Sequence, residues 1–140
     1  VKRLITDAWH APIMVIHGVT FDAADLPALI AERDGEVAGL LTYHRDGDAL
    51  EIVSLNAFTP GGGVGSALIE AARELAPARL WVVTTNDNLD ALRFYQRRGF
   101  RMVAVAPDAV TAARAIKPSI PLIGEYGIPL RDEITLEIRL

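Results

Sequence analysis

The segment from Ala49 to Leu75 changes its hydrophobic period across a run of glycines. Ala49-Leu-Glu-Ile-Val-Ser-Leu-Asn-Ala-Phe58 reads as a strand. Val64, Ala67, Leu68, Ala71, Ala72 and Leu75 repeat at helical spacing, with Glu70, Arg73 and Glu74 opposite. Between them lie Pro60, Gly61, Gly62, Gly63 and Gly65. Pro77 stops the helix. Leu80–Thr85 is apolar and β-branched, and so is expected as a buried strand parallel to the first. The first N–H groups of a helix have no partner inside it, and glycines let a ligand approach them. A glycine turn opening a helix therefore favours an anion, a phosphate above all.

The flanking sequence sets the rest of the sheet. Leu29–Arg33 and Val37–His44 are strands joined by Asp34-Gly35, the pair a tight type I′ hairpin needs. Asp46-Gly47-Asp48 turns the chain again into Ala49–Phe58, giving a three-stranded antiparallel meander. Residues 2–10 are expected as a short helix ended by Pro12, with Pro12 to His17 extended and a turn from Asp22 to Leu26. Phe100–Ala106 and Glu133–Leu140 are further strands. Pro107 to Asp132 is loop-rich, with a short helix at Ala109–Ile116.

A second segment carries its own signature: Asn88-Leu-Asp-Ala-Leu-Arg-Phe-Tyr-Gln-Arg-Arg-Gly-Phe100. Asn86, Asp87 or Asn88 can cap this helix, and Gly99 ends it. At 140 residues, 51% of them hydrophobic, the chain is expected to be one domain with a real core. Its net charge of −4 gives a nucleic-acid partner no electrostatic support. It has no cysteine, which excludes a disulfide framework, a thiol nucleophile and a thiolate metal site. No trio of side chains has metal-ligand spacing. No apolar run approaches the roughly 20 residues of a membrane span, and a signal-peptide core is missing. A cytoplasmic protein without a membrane partner is expected. The chain begins at Val1 with no Met, which predicts a processed or trimmed N-terminus.

Two familiar nucleotide loops fail. A P-loop needs a lysine where Gly65 is followed by Ser66-Ala67. A dinucleotide fingerprint needs a third glycine where Ser66 stands. The chain instead resembles the GCN5-related N-acetyltransferase superfamily from about Ala28 to Leu140. That family's loop, Gln/Arg-x-x-Gly-x-Gly/Ala, is matched at its glycines by Pro60-Gly-Gly-Gly63-Val-Gly65. Pro60 replaces the usual Gln or Arg, and Gly62 lacks the basic side chain many relatives carry there. Asn88-x-x-Ala91-x-x-Phe94-Tyr95-x-x-x-Gly99-Phe100 fits the superfamily closely. The tail from Lys117 to Ile134 looks like a feature of a bacterial subgroup.

The resemblance implies a mixed α/β (α+β) fold. Its mostly antiparallel sheet has flanking helices and two splayed parallel central strands, here Ala49–Phe58 and Leu80–Thr85. It also implies that the chain starts after the family's first strand. Acetyl-CoA would lie with its pyrophosphate on Gly61, Gly62, Gly63, Val64, Gly65 and Ser66, held by backbone N–H groups alone. Leu55, Asn56 and Ala57 would run beside the pantetheine, one N–H serving as oxyanion donor. Asn88 and Phe94 would contact the cofactor. Tyr95 would lie near the sulfur as general acid.

Acetyl transfer to an amine also needs a base. Glu51, on the central strand with Val53, Leu55 and Ala57 as alternation partners, is the first candidate, and His44 the competitor. His10 and His17 stand isolated. The expectation is an N-acetyltransferase acting directly on a primary amine of a small molecule or peptide. The rivals are a non-catalytic acyl-CoA-binding module on the same fold and, more distantly, a dinucleotide-binding redox protein. Glu32, Asp34, Glu36, Glu51 and Glu125 are the acidic residues near the expected acceptor region. An uncovered sheet edge, a hydrophobic small chain and the alternating Ile134–Leu140 predict a homodimer, with the Lys117–Arg131 tail near that edge helping to shape the acceptor site.

Overall fold

In the computed structural model, which describes residues 2–4, 13–16, 18–22, 25–58 and 62–140, the two turns of the meander form as their residues require. Asp34 and Gly35 both have positive φ, 54° and 80°, the type I′ pattern. In the second turn Gly47 has φ 60°, the type II′ pattern with glycine at the first central position. In chain order the strands are β1 (Lys2–Leu4), β2 (Ile13–Ile16), β3 (Val19–Asp22), β4 (Pro27–Arg33), β5 (Glu36–Asp46), β6 (Ala49–Ala57), β7 (Arg79–Thr85), β8 (Arg101–Ala106) and β9 (Glu133–Arg139). The helices are α1 (Val64–Leu75), α2 (Leu89–Arg97) and α3 (Ala109–Ala113). The fold is mixed α/β and mostly antiparallel, as expected.

The chain divides into two compact units, one built on residues 21–80 and one on residues 81–138. In the first, the strand order is β1-β4-β5-β6, each neighbour antiparallel. The helix expected over 2–10 is therefore corrected at residues 2–4. They form β1, with Arg3 opposite Ala28, and the remainder of that expectation lies outside the described residues. The outer side of β4 carries β1. β2 and β3 form a separate two-stranded sheet.

Helix α1 buries Val64, Leu68, Ile69 and Ala72 on one stripe. Its seat on the sheet is Gly39 of β5. A Cβ built there would meet Val64 Cγ1, with Asn56 O at 3.0 Å and Leu68 Cδ1 at 3.1 Å. The helix ends where Pro77 forbids continuation, and Arg45 Nη2 donates to its last carbonyl, Leu75 O, at 2.9 Å. The Glu70–Arg73 pair on its outer side, 3.9 Å apart and exposed, adds little.

In the second unit the strand order is β7-β9-β8, with β8 antiparallel to β9. Helix α2 closes in a Schellman motif: Phe100 N–H donates to Tyr95 O at 3.1 Å and Gly99 N–H to Gln96 O at 3.1 Å. Gly99 has φ 96°, which explains the glycine. The segment from Lys117 to Asp132 is a pinned hairpin rather than an open loop. Leu130 N–H donates to Leu122 O and Gly124 N–H to Ile128 O, at 2.9 and 2.8 Å. Arg114 ties it down by donating to Ile120 O, Pro121 O and Leu130 O.

The seat of α1 gives a direct test. Gly39→Ala is expected to destabilise the protein by about 1–3 kcal/mol through overpacking against Val64 and the β6 backbone. Urea unfolding of the two proteins measures it. An unchanged midpoint would show that α1 does not pack on this glycine.

Candidate functional site

The glycine turn leads into α1 through two consecutive left-handed residues, Gly62 (φ 74°) and Gly63 (φ 76°). Pro60 and Gly61 lie outside the described residues. Gly63 is the N-cap and supplies no side-chain hydrogen bond, and the first turn holds no acidic residue. Ala67 N–H is bonded back to Gly63 O at 2.9 Å, so Val64, Gly65 and Ser66 are the three residues whose N–H groups precede the helical ladder. Gly65, expected in the loop, is the second residue of the helix. Val64 is buried over Gly39, which fixes the direction of this first turn. Arg33, at the end of β4, donates through Nη2 to Gly62 O at 2.7 Å.

Leu55, Asn56 and Ala57 lie on β6, opposite Leu41, Leu40 and Gly39 of β5. Just before them the register shifts. Thr42 faces Ser54, but Tyr43 faces Ile52, so Val53 is the extra residue of a β-bulge. The bulge corrects the alternation expected for Glu51. Residues opposite one another on an antiparallel pair share a face. Glu51 is opposite His44, Ser54 opposite Thr42 and Asn56 opposite Leu40. Glu51 therefore shares its face with Ser54 and Asn56. Leu55 and Ala57 lie on the other face, with Gly39 and α1. The two base candidates are brought together as cross-strand partners. Glu51 is 2% exposed, whereas His44 is exposed. At the bulge the fully buried Thr42 hydroxyl and the Ser54 hydroxyl lie 2.6 Å apart and share a hydrogen bond.

In the second unit Asn88 caps α2, its Oδ1 accepting from Ala91 N–H at 3.1 Å. The cap uses the oxygen of the amide and leaves Nδ2 out of that bond. Phe94 is stacked under Arg98, whose Cζ lies 3.7 Å from the ring centroid, and meets Tyr95 edge-on at 5.2 Å. Tyr95 also meets Phe100 at 5.2 Å. Burial pushes the Tyr95 hydroxyl well above the ordinary tyrosine range, so it keeps its proton at neutral pH.

Sequence reasoning left three capping candidates for α2. Asn88 takes the cap, and the other two hold the tail. Asn86 Oδ1 accepts from Arg131 and Asp132 N–H at 3.0 and 2.9 Å, and its Nδ2 donates to Pro129 O at 2.8 Å. The buried Asp87 carboxylate accepts from the Thr85 hydroxyl at 2.5 Å and from Glu125 N–H at 2.9 Å. Tyr126 donates to Asp90 Oδ1 at 2.6 Å. The tail is thus tied to the turn that carries Asn88. The Asn-Asp-Asn triplet marked a cap, but nothing in it marked a clamp on residues some 40 positions away. Among the described residues no three His, Asp or Glu side chains are grouped to hold a metal ion.

Residues 4–100 match the profile of the Acetyltransferase (GNAT) family. The chain is 40% identical over 142 residues to "Uncharacterized protein YdhI" of Bacillus subtilis (strain 168), covering 95% of this chain and 89% of that protein. Among solved structures, an IAA acetyltransferase from Bacillus cereus is similar with a TM-score of 0.70 and 27% identity, covering 84% of this chain and 80% of the other. A Bacillus subtilis acetyltransferase in complex with CoA is similar with a TM-score of 0.68 and 26% identity, covering 82% and 77%.

The raised Tyr95 ionisation has a consequence for stability. The unfolded chain ionises this tyrosine near pH 10.0 and the folded chain only above that. The unfolded state then binds fewer protons, so this contribution is complete below pH 10 and is lost as pH rises through the folded value. Tyr95→Phe should flatten the fall in stability between about pH 9 and 11, read by urea unfolding across that range. An identical slope in the variant would show that Tyr95 titrates normally.

Proposed function

The chain belongs to the acetyltransferase (GNAT) family, and from that premise we propose that it is a single-domain, acetyl-CoA-dependent N-acetyltransferase acting on a primary amine. The observation that carries the reading is the turn at Gly62-Gly63. Two left-handed glycines lead into the N-terminus of α1, where the N-cap residue Gly63 has no side chain to place over it. The cofactor's pyrophosphate would take the N–H groups of Val64, Gly65 and Ser66. Its pantetheine arm would run along Leu55, Asn56 and Ala57. The CoA complex of the similar Bacillus subtilis enzyme supports this assignment.

In the proposed reaction the ammonium form of the acceptor loses a proton to Glu51, directly or through its neighbour His44. The free lone pair attacks the acetyl carbonyl, and a β6 backbone N–H steadies the oxyanion. The C–S bond then breaks as the nitrogen gives up its second proton to solvent, and the Tyr95 hydroxyl, protonated at working pH, donates a hydrogen bond to the departing sulfur, which solvent then protonates. Asn88, fixed by its cap, would present Nδ2 to the pantetheine. No covalent enzyme intermediate is involved. The acceptor is an amine of a small molecule or peptide.

A cytoplasmic location belongs to the same proposal, supported by dependence on a CoA thioester. No helix among the described residues is long and apolar enough to cross a membrane. A homodimer belongs to it as well. β1 lies along β4, so that side of the sheet does not carry the proposal. Its support is now β8, where Met102, Val103 and Val105 are at least half exposed on a terminal strand. Sedimentation at micromolar protein checks it, with twice the chain mass expected and a clean monomer opposing it.

The deciding experiment is a CoA-release assay across amines, amino acids, polyamines and peptides, beside calorimetry with acetyl-CoA. Binding with turnover of at least one amine is expected. Binding without turnover of any amine would favour a non-catalytic acyl-CoA module. Tyr95→Phe should lower kcat on the order of 10²-fold with little change in acetyl-CoA affinity. Glu51→Gln should remove the acidic limb of the pH–rate profile. Persistence of that limb would pass the base role to His44.

A further inference from the structure

The loop offers the phosphates no basic side chain of its own, yet a guanidinium lies against it. Arg33 is exposed at the last position of β4, beside the Asp34-Gly35 turn and opposite Glu36. Its Nη2 donates to Gly62 O at 2.7 Å. A Cβ built on Gly62 would fall on Nη1 and Nη2 and lie 2.8 Å from Cζ. The guanidinium therefore occupies the volume a side chain at position 62 would take. Gly62 is required for its φ of 74°, and its missing Cβ leaves the room the guanidinium takes.

The arrangement concentrates positive charge. A helix N-terminus carries about half a unit of positive charge. At α1 no capping side chain and no acidic residue in the first turn offsets it. A guanidinium held beside such a terminus is opposed by it unless an anion is shared. Arg33 has five N–H donors in a rigid plane, and the bond to Gly62 uses one. The remaining fork suits two oxygens of a phosphate.

Resting on the reading that acetyl-CoA binds at this turn, the geometry points to Arg33 as a cofactor-binding residue, supplied by the β4–β5 hairpin to the pyrophosphate in place of a basic residue in the loop. The expectation that backbone N–H groups act alone is thereby replaced. The hairpin tip and the glycine turn become one anion seat, built from residues 29 positions apart.

Calorimetry on the full chain tests this with wild type, Arg33→Gln and Arg33→Lys, using acetyl-CoA, dephospho-CoA and acetyl-pantetheine at two salt concentrations. Thermal melts first confirm that each variant is folded. Arg33→Gln should weaken acetyl-CoA and dephospho-CoA alike, on the order of tenfold, and lower the salt dependence. Arg33→Lys should recover part of the loss. Acetyl-pantetheine, which lacks the pyrophosphate, should bind all three proteins equally. Wild type binding acetyl-CoA with Arg33→Gln unchanged would overturn the inference and leave the proposed function standing. A loss seen with acetyl-CoA but not with dephospho-CoA would overturn it too, moving Arg33 to the 3′-phosphate. A loss of equal size with acetyl-pantetheine would reduce Arg33 to a brace for the turn. Wild type that does not bind acetyl-CoA would overturn the proposed function, and this inference with it.

Discussion

The contact of α1 with the sheet at Gly39 determines where the start of that helix lies. Val64 is both the first residue of the helix and the side chain that fills the space a Cβ at position 39 would need. Because the anchor is at the helix start, its N-terminal N–H groups are held by packing. Gly62 and Gly63 before it can then be left-handed, with no side-chain cap from Gly63, without fraying the helix. Packing of α1 against β4, β5 and β6 substitutes for the missing cap. A capped terminus would be more stable in isolation, but its cap would fill the volume an anion needs.

The legible parts of this fold are those where one or two adjacent residues decide the backbone. Asp34-Gly35 announced its turn because both positions require positive φ. Gly99 announced the end of α2 because a Schellman motif needs a left-handed residue there. The helical period of Val64 to Leu75 fixed α1 to within a residue. The bulge at Val53 was not legible, because Val53 continues the apolar strand pattern and the extra residue shows only in the pairing with β5. It matters, since it moves Glu51 off the face of Leu55 and Ala57. β1 was missed because three residues carry too little period to separate strand from helix. Arg33 reads as an ordinary hairpin charge until the glycine turn is brought beneath it.

Asn88 shows why structural and chemical readings of one residue need not compete. Its carbonyl oxygen caps α2, and the cap does not use its amide nitrogen. The cap fixes the side chain, so the nitrogen is positioned at no further entropic cost. Its two predecessors extend the arrangement. Asn86 and Asp87 use every oxygen and nitrogen of their side chains on the Thr85 hydroxyl and on the backbone of residues 125 to 132. The turn bearing Asn88 is therefore tied on both sides, to α2 and to the tail. Loss of either clamp would loosen the position of Nδ2 before it loosened the helix.

Tyr95 raises a last point about the proton. Its hydroxyl is held above the ordinary tyrosine range by burial among Phe94 and Phe100. A thiol of ordinary kind loses its proton near pH 8.5. Full transfer from this phenol to a free thiolate is therefore uphill, by about 1.4 kcal/mol for each unit of difference. The donor is instead matched to the transition state. In the proposed reaction the sulfur would carry partial charge while the C–S bond breaks, and a hydrogen bond from a protonated phenol would be strongest at that point. The same burial that makes Tyr95 a reluctant acid keeps it protonated and unsolvated, ready to donate without reorganisation. In the proposed reaction its contribution would be a hydrogen bond to the leaving sulfur, with solvent completing protonation of CoA as the product departs.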